Sequence, residues 1–196
     1  MSAAQTGASS RAWSIRPARI GDVPELHRLE LALFPGDAWS EHMLAAEIAH
    51  ETRCFLVAEQ PTRPDGERIV GYAGVMAVAE TADVQNIAVV PQLRGQGLGS
   101  SLLRALHGIA ADRGAHEILL EVRESNETAQ SLYRRFGYRE IAQRPRYYPD
   151  GETAVIMRAP LGPADAGPPR PPSTTDLTSH MDTRAAAHDD SREDPR

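Results

Sequence analysis

A mixed α/β fold, with a seven-stranded sheet covered by about four helices on both faces, is predicted by three features of the sequence. Apolar residues at strand spacing and at helical spacing alternate repeatedly between residues 13 and 160. They do so in the order strand, two helices, three strands, helix, strand, helix, two strands, which one sheet with helices on both sides accommodates. The composition, 41% hydrophobic and 24% charged, is that of a globular core, and 196 residues leave no room for a second once the ends are set aside.

The ends are set aside for their composition. Residues 1–12 are small and polar without periodicity, and 161–196 are rich in Pro, Ala, Asp, Thr and Ser; both are expected to be disordered, leaving a domain of residues 13–160. The segment after Leu161 holds four arginines against seven acidic residues, so half of the net charge of −6 belongs to the tail and not to the fold.

The elements follow in order. Trp13 to Arg16 is a short strand candidate. Asp22, three residues before Glu25 and ahead of Leu26, Leu29 and Leu33, reads as the cap of an amphipathic helix that ends near Phe34-Pro35-Gly36. Ser40 caps a second helix with Met43, Leu44, Glu47 and Ile48 close to one face. Cys54 to Ala58 reads as a buried strand, and Pro64-Asp65-Gly66 as part of the turn to the next. Ile69 to Val78 and Thr81 to Val90 are two strands joined by a tight turn, and Pro91 ends the second because it has no N–H for a ladder. Leu98, Leu102, Leu103, Leu106, Ile109 and Ala110 follow helical spacing up to Gly114. Ile118 to Val122 is a strand. A helix from Ser125-Asn126 to Gly137 buries Ala129, Leu132, Tyr133 and Phe136, and Tyr138 to Tyr148 and Thr153 to Arg158 complete the sheet.

Composition also excludes functions. An acidic chain is a poor general nucleic-acid binder, because neutralising phosphates takes a basic surface. No apolar run approaches the roughly 20 residues that span a bilayer, and the opening Met-Ser-Ala-Ala-Gln-Thr lacks a basic start followed by an apolar stretch, so a cytoplasmic protein is expected. The single cysteine, Cys54, allows no internal disulfide. The histidines show no ligand spacing with one another or with Cys54, so no metal is expected.

The most informative segment is Val89-Val90-Pro91-Gln92-Leu93-Arg94-Gly95-Gln96-Gly97-Leu98-Gly99, a strand that stops and a glycine-rich turn that opens a helix. Such a turn binds phosphate: glycines admit close backbone approach, the free amides of the helix start donate to oxygens, and the helix dipole adds positive potential. Arg94 can add a charge-assisted contact. A nucleoside-triphosphate loop needs Gly-Lys, and every basic side chain here is arginine. A dinucleotide loop needs Gly-x-Gly-x-x-Gly after the first strand of a parallel sheet, and the spacing here is Gly-x-Gly-x-Gly after a hairpin. The turn by itself also remains compatible with binding nothing.

Arg94-Gly95-Gln96-Gly97-Leu98-Gly99 resembles the coenzyme A loop of the GNAT superfamily of N-acetyltransferases. Asn86-Ile87-Ala88-Val89, Leu120-Glu121-Val122-Arg123 with Ser125-Asn126, Ala129 to Tyr133 with Phe136-Gly137-Tyr138, and Arg146-Tyr147-Tyr148 are similar to the ribosomal-protein-alanine N-acetyltransferase family. The resemblance covers residues 13 to 160 and implies a mostly antiparallel sheet and acetyl-CoA as cosubstrate. It places the coenzyme along the backbone of Ile87, Ala88 and Val89, its pyrophosphate on Arg94, Gly95, Gln96, Gly97, Leu98 and Gly99, and a further contact at Asn126. It makes Glu121 the general base and Tyr133 the general acid, with Glu30, Phe34, Trp39, Tyr147 and Tyr148 around the acceptor. The implied partner is a protein N-terminus, that of a ribosomal protein beginning with alanine, and the implied state a monomer or weak homodimer without nucleic acid or membrane.

The chemistry asks for these residue types in its own right. An amine attacks a thioester only when neutral; at pH 7 an α-amine with a pKa near 8 is about a tenth neutral, a lysine near 10.4 about one part in 2,500. A carboxylate acting through water therefore suffices for an N-terminus. A phenol near 10 stays protonated and can donate to a thiolate near 8.5. Each residue also has a plainer reading: Glu121 as a surface ion pair next to Arg123, Tyr133 as a core tyrosine, Asn126 as a helix cap and Cys54 as an inert buried thiol rather than an acetyl carrier. The sequence departs from the family pattern where Gly36-Asp37-Ala38 separates Phe34-Pro35 from Trp39-Ser40, which leaves lysine or small-molecule acceptors, and a coenzyme-A-binding sensor without turnover, as alternatives.

Overall fold

The computed structural model describes residues 13–36, 38–162 and 182–184. The strands β1 (Ser14–Pro17), β2 (Arg53–Glu59), β3 (Ile69–Val78), β4 (Thr81–Val89), β5 (Glu117–Arg123), β6 (Arg139–Arg144) and β7 (Ala154–Pro160) form one sheet in the order β1-β2-β3-β4-β5-β7-β6. Four helices accompany it, α1 (Val23–Leu33), α2 (Glu41–Ala49), α3 (Leu98–Asp112) and α4 (Glu127–Arg135). The β4–β5 pair is parallel and the other neighbours are antiparallel. That parallel pair is the consequence of α3 crossing over between its strands.

The helices divide between the two faces as the apolar spacing requires. α3 and α4 pack Leu98, Leu102, Leu103, Leu106, Ala129, Leu132 and Tyr133 onto Ala73, Val84, Ile87, Leu120 and Val122. α1 and α2 bring Leu26 and Leu44, with Trp39 between them, onto Phe55, Val57, Ile69, Tyr72 and Ala88 of the opposite face. That second layer reaches only β2, β3 and β4. Along β5 the residues Ile118, Leu120 and Val122 are buried against α3 and α4 while Glu117, Leu119, Glu121 and Arg123 alternate with them toward the other face, and β6 is exposed along its whole length. No helix among the described residues is long and apolar enough to cross a membrane.

Three local details differ from the sequence reading. Asp22 does not cap α1: it closes a short 3-10 turn, accepting from Arg19 N at 2.7 Å and pairing with Arg16 of β1 at 2.7 Å, while Glu25 turns away to accept from Ile69 N at 2.7 Å. The guanidinium outcompetes the helix amides because its bonds to a carboxylate are charge-assisted. The strand expected to run to Tyr148 stops at Arg144, since Pro145 has no N–H to pair and Arg146 turns the chain with φ +55°. Within the segment expected to be disordered, Asp182–Arg184 is a strand, β8, whose backbone pairs antiparallel with β4, Arg184 opposite Asn86, Thr183 opposite Ile87 and Asp182 opposite Ala88. An open strand edge accepts any extended backbone whatever its composition. The expected disorder of 1–12, and of the rest of the tail, lies outside the described residues. Elsewhere the reading holds: Ser40 Oγ accepts from Met43 N at 3.2 Å as the cap of α2, and Gly114 and Gly137 take φ +89° and +87° to end α3 and α4.

Candidate active site

Two devices in the sheet make the site. The first is the turn between β4 and α3. A 3-10 turn over Pro91–Leu93 leads into Gly95 and Gly97, with φ +72° and +87°, values that only glycine adopts without strain. A Cβ at Gly97 would meet no neighbour within 4 Å, so its glycine is required by the backbone and not by crowding. Leu98 is the first helical residue, and the amides of this first turn point out of the helix start. Arg94 Nε donates to Val89 O at 3.1 Å and Gln96 Nε2 to Gln92 O at 2.9 Å, so both side chains brace the turn. These residues fit a pyrophosphate, which needs a concave run of donors without side chains in the way.

The second device is the divergence of β4 from β5. Their pairing covers only Thr81–Asp83 with Glu117–Leu119; from Leu120 to Arg123 the strand β5 pairs on its other edge with β7 alone. The facing edge of β4 at Asn86–Ala88 is the one to which β8 pairs. Two of the three positions expected to hold a coenzyme by their backbone, Ile87 and Ala88, thus carry backbone groups that an extended partner can engage, next to Val89 at the strand end.

Glu121 stands where the strands have separated. Its side chain is 16% exposed, on the face left bare by α1 and α2, and Arg144 of β6 reaches it with Nη1–Oε1 2.5 Å. The Tyr147 hydroxyl hydrogen-bonds the same carboxylate; burial first, and this bond second, push that phenol up to about 12. Asp83 lies one strand away on the same face, its carboxyl pushed up by burial and then by Glu121 and Glu117. Arg123, two residues further along β5, holds Asp150 and Glu152, each at 2.7 Å, and lies over the buried Tyr148 ring with 4.0 Å to its centroid. Burial pushes the Tyr148 phenol well above its usual range.

The remaining expected residues divide by what they touch. Tyr133 is fully buried on α4, its ring 5.5 Å from that of Tyr138. It packs in the core on the α3–α4 side of the sheet, the face opposite to that of Glu121. Asn126 caps α4, Oδ1 accepting from Ala129 N at 3.0 Å. Glu30 and Trp39 are buried and turned inward, not presented to an incoming chain: Glu30 accepts from Trp39 N at 2.9 Å and from the Tyr72 hydroxyl, and Trp39 lies 6.2 Å from Phe55. Phe34, at the end of α1, is half-buried against the same cluster. Cys54 packs on the α3 side with its thiol pushed up by burial, remote from the face of Glu121 and poorly suited to carry an acyl group. Among the described residues, no group of three His, Cys, Asp or Glu side chains is placed to hold a metal ion. Arg144 and Asp83 are the neighbours of Glu121 that sequence reasoning missed; strand register brings them to it, and the only signal available for Asp83 was a charged residue within a largely apolar strand.

Residues 23–138 match the model of the acetyltransferase (GNAT) family. An N-alpha-acetyltransferase, RimI, of Mycobacterium tuberculosis is 35% identical over 147 residues, 72% of this chain and 88% of that one. The ribosomal protein bS18-alanine N-acetyltransferase of Escherichia coli K12 is 34% identical over 145 residues, 71% of this chain and 92% of that one. The crystal structure of the Escherichia coli ribosomal-protein-S18-alanine N-acetyltransferase superposes with a TM-score of 0.68 at 32% identity, covering 79% of this chain and 97% of that one. With the glycine turn, the diverging parallel strands and these relationships in agreement, the chain belongs to the GNAT family of acetyltransferases.

Proposed function

We propose that the chain transfers an acetyl group from acetyl-CoA to the N-terminal α-amine of a protein, a ribosomal protein beginning with alanine being the acceptor to which its relatives' names point. The observation that carries this reading is Glu121, a carboxylate fixed by Arg144 and Tyr147 at the mouth of the β4–β5 divergence, on the one part of the sheet face without a covering helix. Acetyl-CoA supplies the activated thioester. The backbone of Ile87, Ala88 and Val89 and the turn from Arg94 to Gly99 would hold it, the latter through its helix-start amides. Glu121 takes the proton of the attacking amine through a water molecule, and the Tyr133 phenol gives a proton to the departing thiolate. Asn126 supports the coenzyme from the start of α4, and Phe34, Tyr147 and Tyr148 line the acceptor side, with Glu30 and Trp39 holding the α1–α2 connection in place.

An α-amine suits this site better than a lysine. It is already about a tenth neutral at pH 7, so it needs no unusually strong base. The test is acetylation of a peptide beginning with alanine, compared with the same peptide N-terminally blocked and carrying an internal lysine, with the acetyl group located by tandem mass spectrometry. Acetyl on the first residue only is expected; acetyl on the lysine of the blocked peptide would refute the N-terminal assignment.

A further inference from the structure

Among the described residues, Asn86 is the buried amide in the sheet whose side chain has no hydrogen-bond partner. It is 1% exposed, and neither Oδ1 nor Nδ2 has a hydrogen-bond partner. A leucine or valine there would pack without that cost, so the amide is kept against stability. Its position is specific. Asn86 lies opposite Gly74, where the β3–β4 register shifts, on the same face as Tyr72 and Ala88, and it follows the last β4–β5 pair by three residues. A Cβ on Gly74 would come within 3.0 Å of Asn86 Oδ1 and 2.7 Å of the Phe55 ring, so the glycine opposite leaves this amide its room. Asp83 presents its carboxyl on the same face; the charged groups acting on it are Glu121 and Glu117, and no cation answers it among the described residues.

A carboxyl without a counter-ion among the described residues, on the same strand face as a buried amide able both to donate and to accept, is complementary to a cationic α-amine followed by a peptide group. We infer that Asn86 and Asp83 form the acceptor-binding subsite, Asp83 drawing the α-ammonium toward Glu121 while the Asn86 amide holds the first residue of the acceptor. This rests on the N-terminal reading above, and it assigns recognition to β4 and not only to the loops around α1 and β6.

The experiment measures steady-state kinetics of Asn86→Leu, Asn86→Ser and Asp83→Asn with an alanine-starting peptide, alongside acetyl-CoA affinity by calorimetry and the thermal midpoint. For Asn86→Leu the peptide KM should rise about tenfold or more, the loss of a hydrogen bond to a charged group. Acetyl-CoA affinity should be unchanged and the thermal midpoint equal or higher. Asn86→Ser should recover part of the KM, and Asp83→Asn should raise the peptide KM as well. An unchanged peptide KM in Asn86→Leu, or a weakened acetyl-CoA affinity in its place, would overturn the inference while leaving N-terminal acetylation standing. A wild-type chain that leaves free N-termini unmodified would overturn both.

Discussion

At the residue scale, the site works by restraining a carboxylate that would otherwise wander. Glu121 is held from two directions, by the Arg144 guanidinium and by the Tyr147 hydroxyl, and Arg146 enters the positive-φ region immediately before Tyr147. A non-glycine residue in that conformation is strained and persists only where its surroundings demand it. Tyr147→Phe removes one of the two restraints without changing the ring; it should lower kcat about fivefold, the worth of one hydrogen bond of about 1 kcal/mol, with acetyl-CoA affinity unchanged by calorimetry. His107 provides a separate residue-scale prediction, for stability. Its ring, hydrogen-bonded to the Tyr138 hydroxyl at 2.9 Å and edge-on to Phe136, is pushed down to about 4, by burial first and then by Arg104. Unfolded, it would titrate near 6.5, so its contribution is complete above that pH and is lost as the pH falls from about 6.5 toward 4. The pH dependence of urea unfolding should flatten over that window in His107→Leu, by up to about 3 kcal/mol. The same slope in variant and wild type would remove His107 as its cause.

At the scale of elements, much was legible because each boundary has a local chemical cause. Ser40, Pro91, Gly114 and Gly137 act where their types predict, and β3, β4 and α3 follow from apolar spacing alone. What was not legible depended on partners distant in the chain. Asp22 looks like a helix cap until Arg16 of β1 and its neighbour Glu59 are known. The pairing of Glu121 with Arg144 rather than Arg123 follows from the shared neighbour β7, on which both β5 and β6 are registered. The inward turn of Glu30 and Trp39 needs Tyr72, which β3 supplies. The glycine turn yields the prediction proper to this scale. Gly97→Ala keeps open space around the new Cβ but forces a side chain into φ +87°, so it should destabilise by about 1–2 kcal/mol and raise the KM for acetyl-CoA more than that for the peptide, as measured in paired titrations. A larger effect on the peptide would disconnect this turn from the coenzyme.

At the scale of the whole molecule, one sheet serves two purposes. Its α3–α4 face is packed from β2 across to β7, while the other face is covered only as far as β4, and the divergence of β4 from β5 connects the two. Among the described residues the buried clusters draw on none beyond Leu161, so truncation after Gly162 should shift the thermal midpoint by less than about 3 °C. The same truncation removes β8 from the edge at Asn86–Ala88 and should tighten acetyl-CoA binding, because a strand paired there competes for the same backbone groups. Unaltered affinity would mean that β8 and the coenzyme do not share that edge. Glu121, the proposed base of the acetyl transfer, stands at the mouth of this divergence. The most direct test of that role is Glu121→Gln, assayed for turnover with an alanine-starting peptide and for acetyl-CoA affinity on the same preparation. A fall in kcat of about a hundredfold or more with unchanged coenzyme affinity is predicted. Turnover close to wild type would contradict the account.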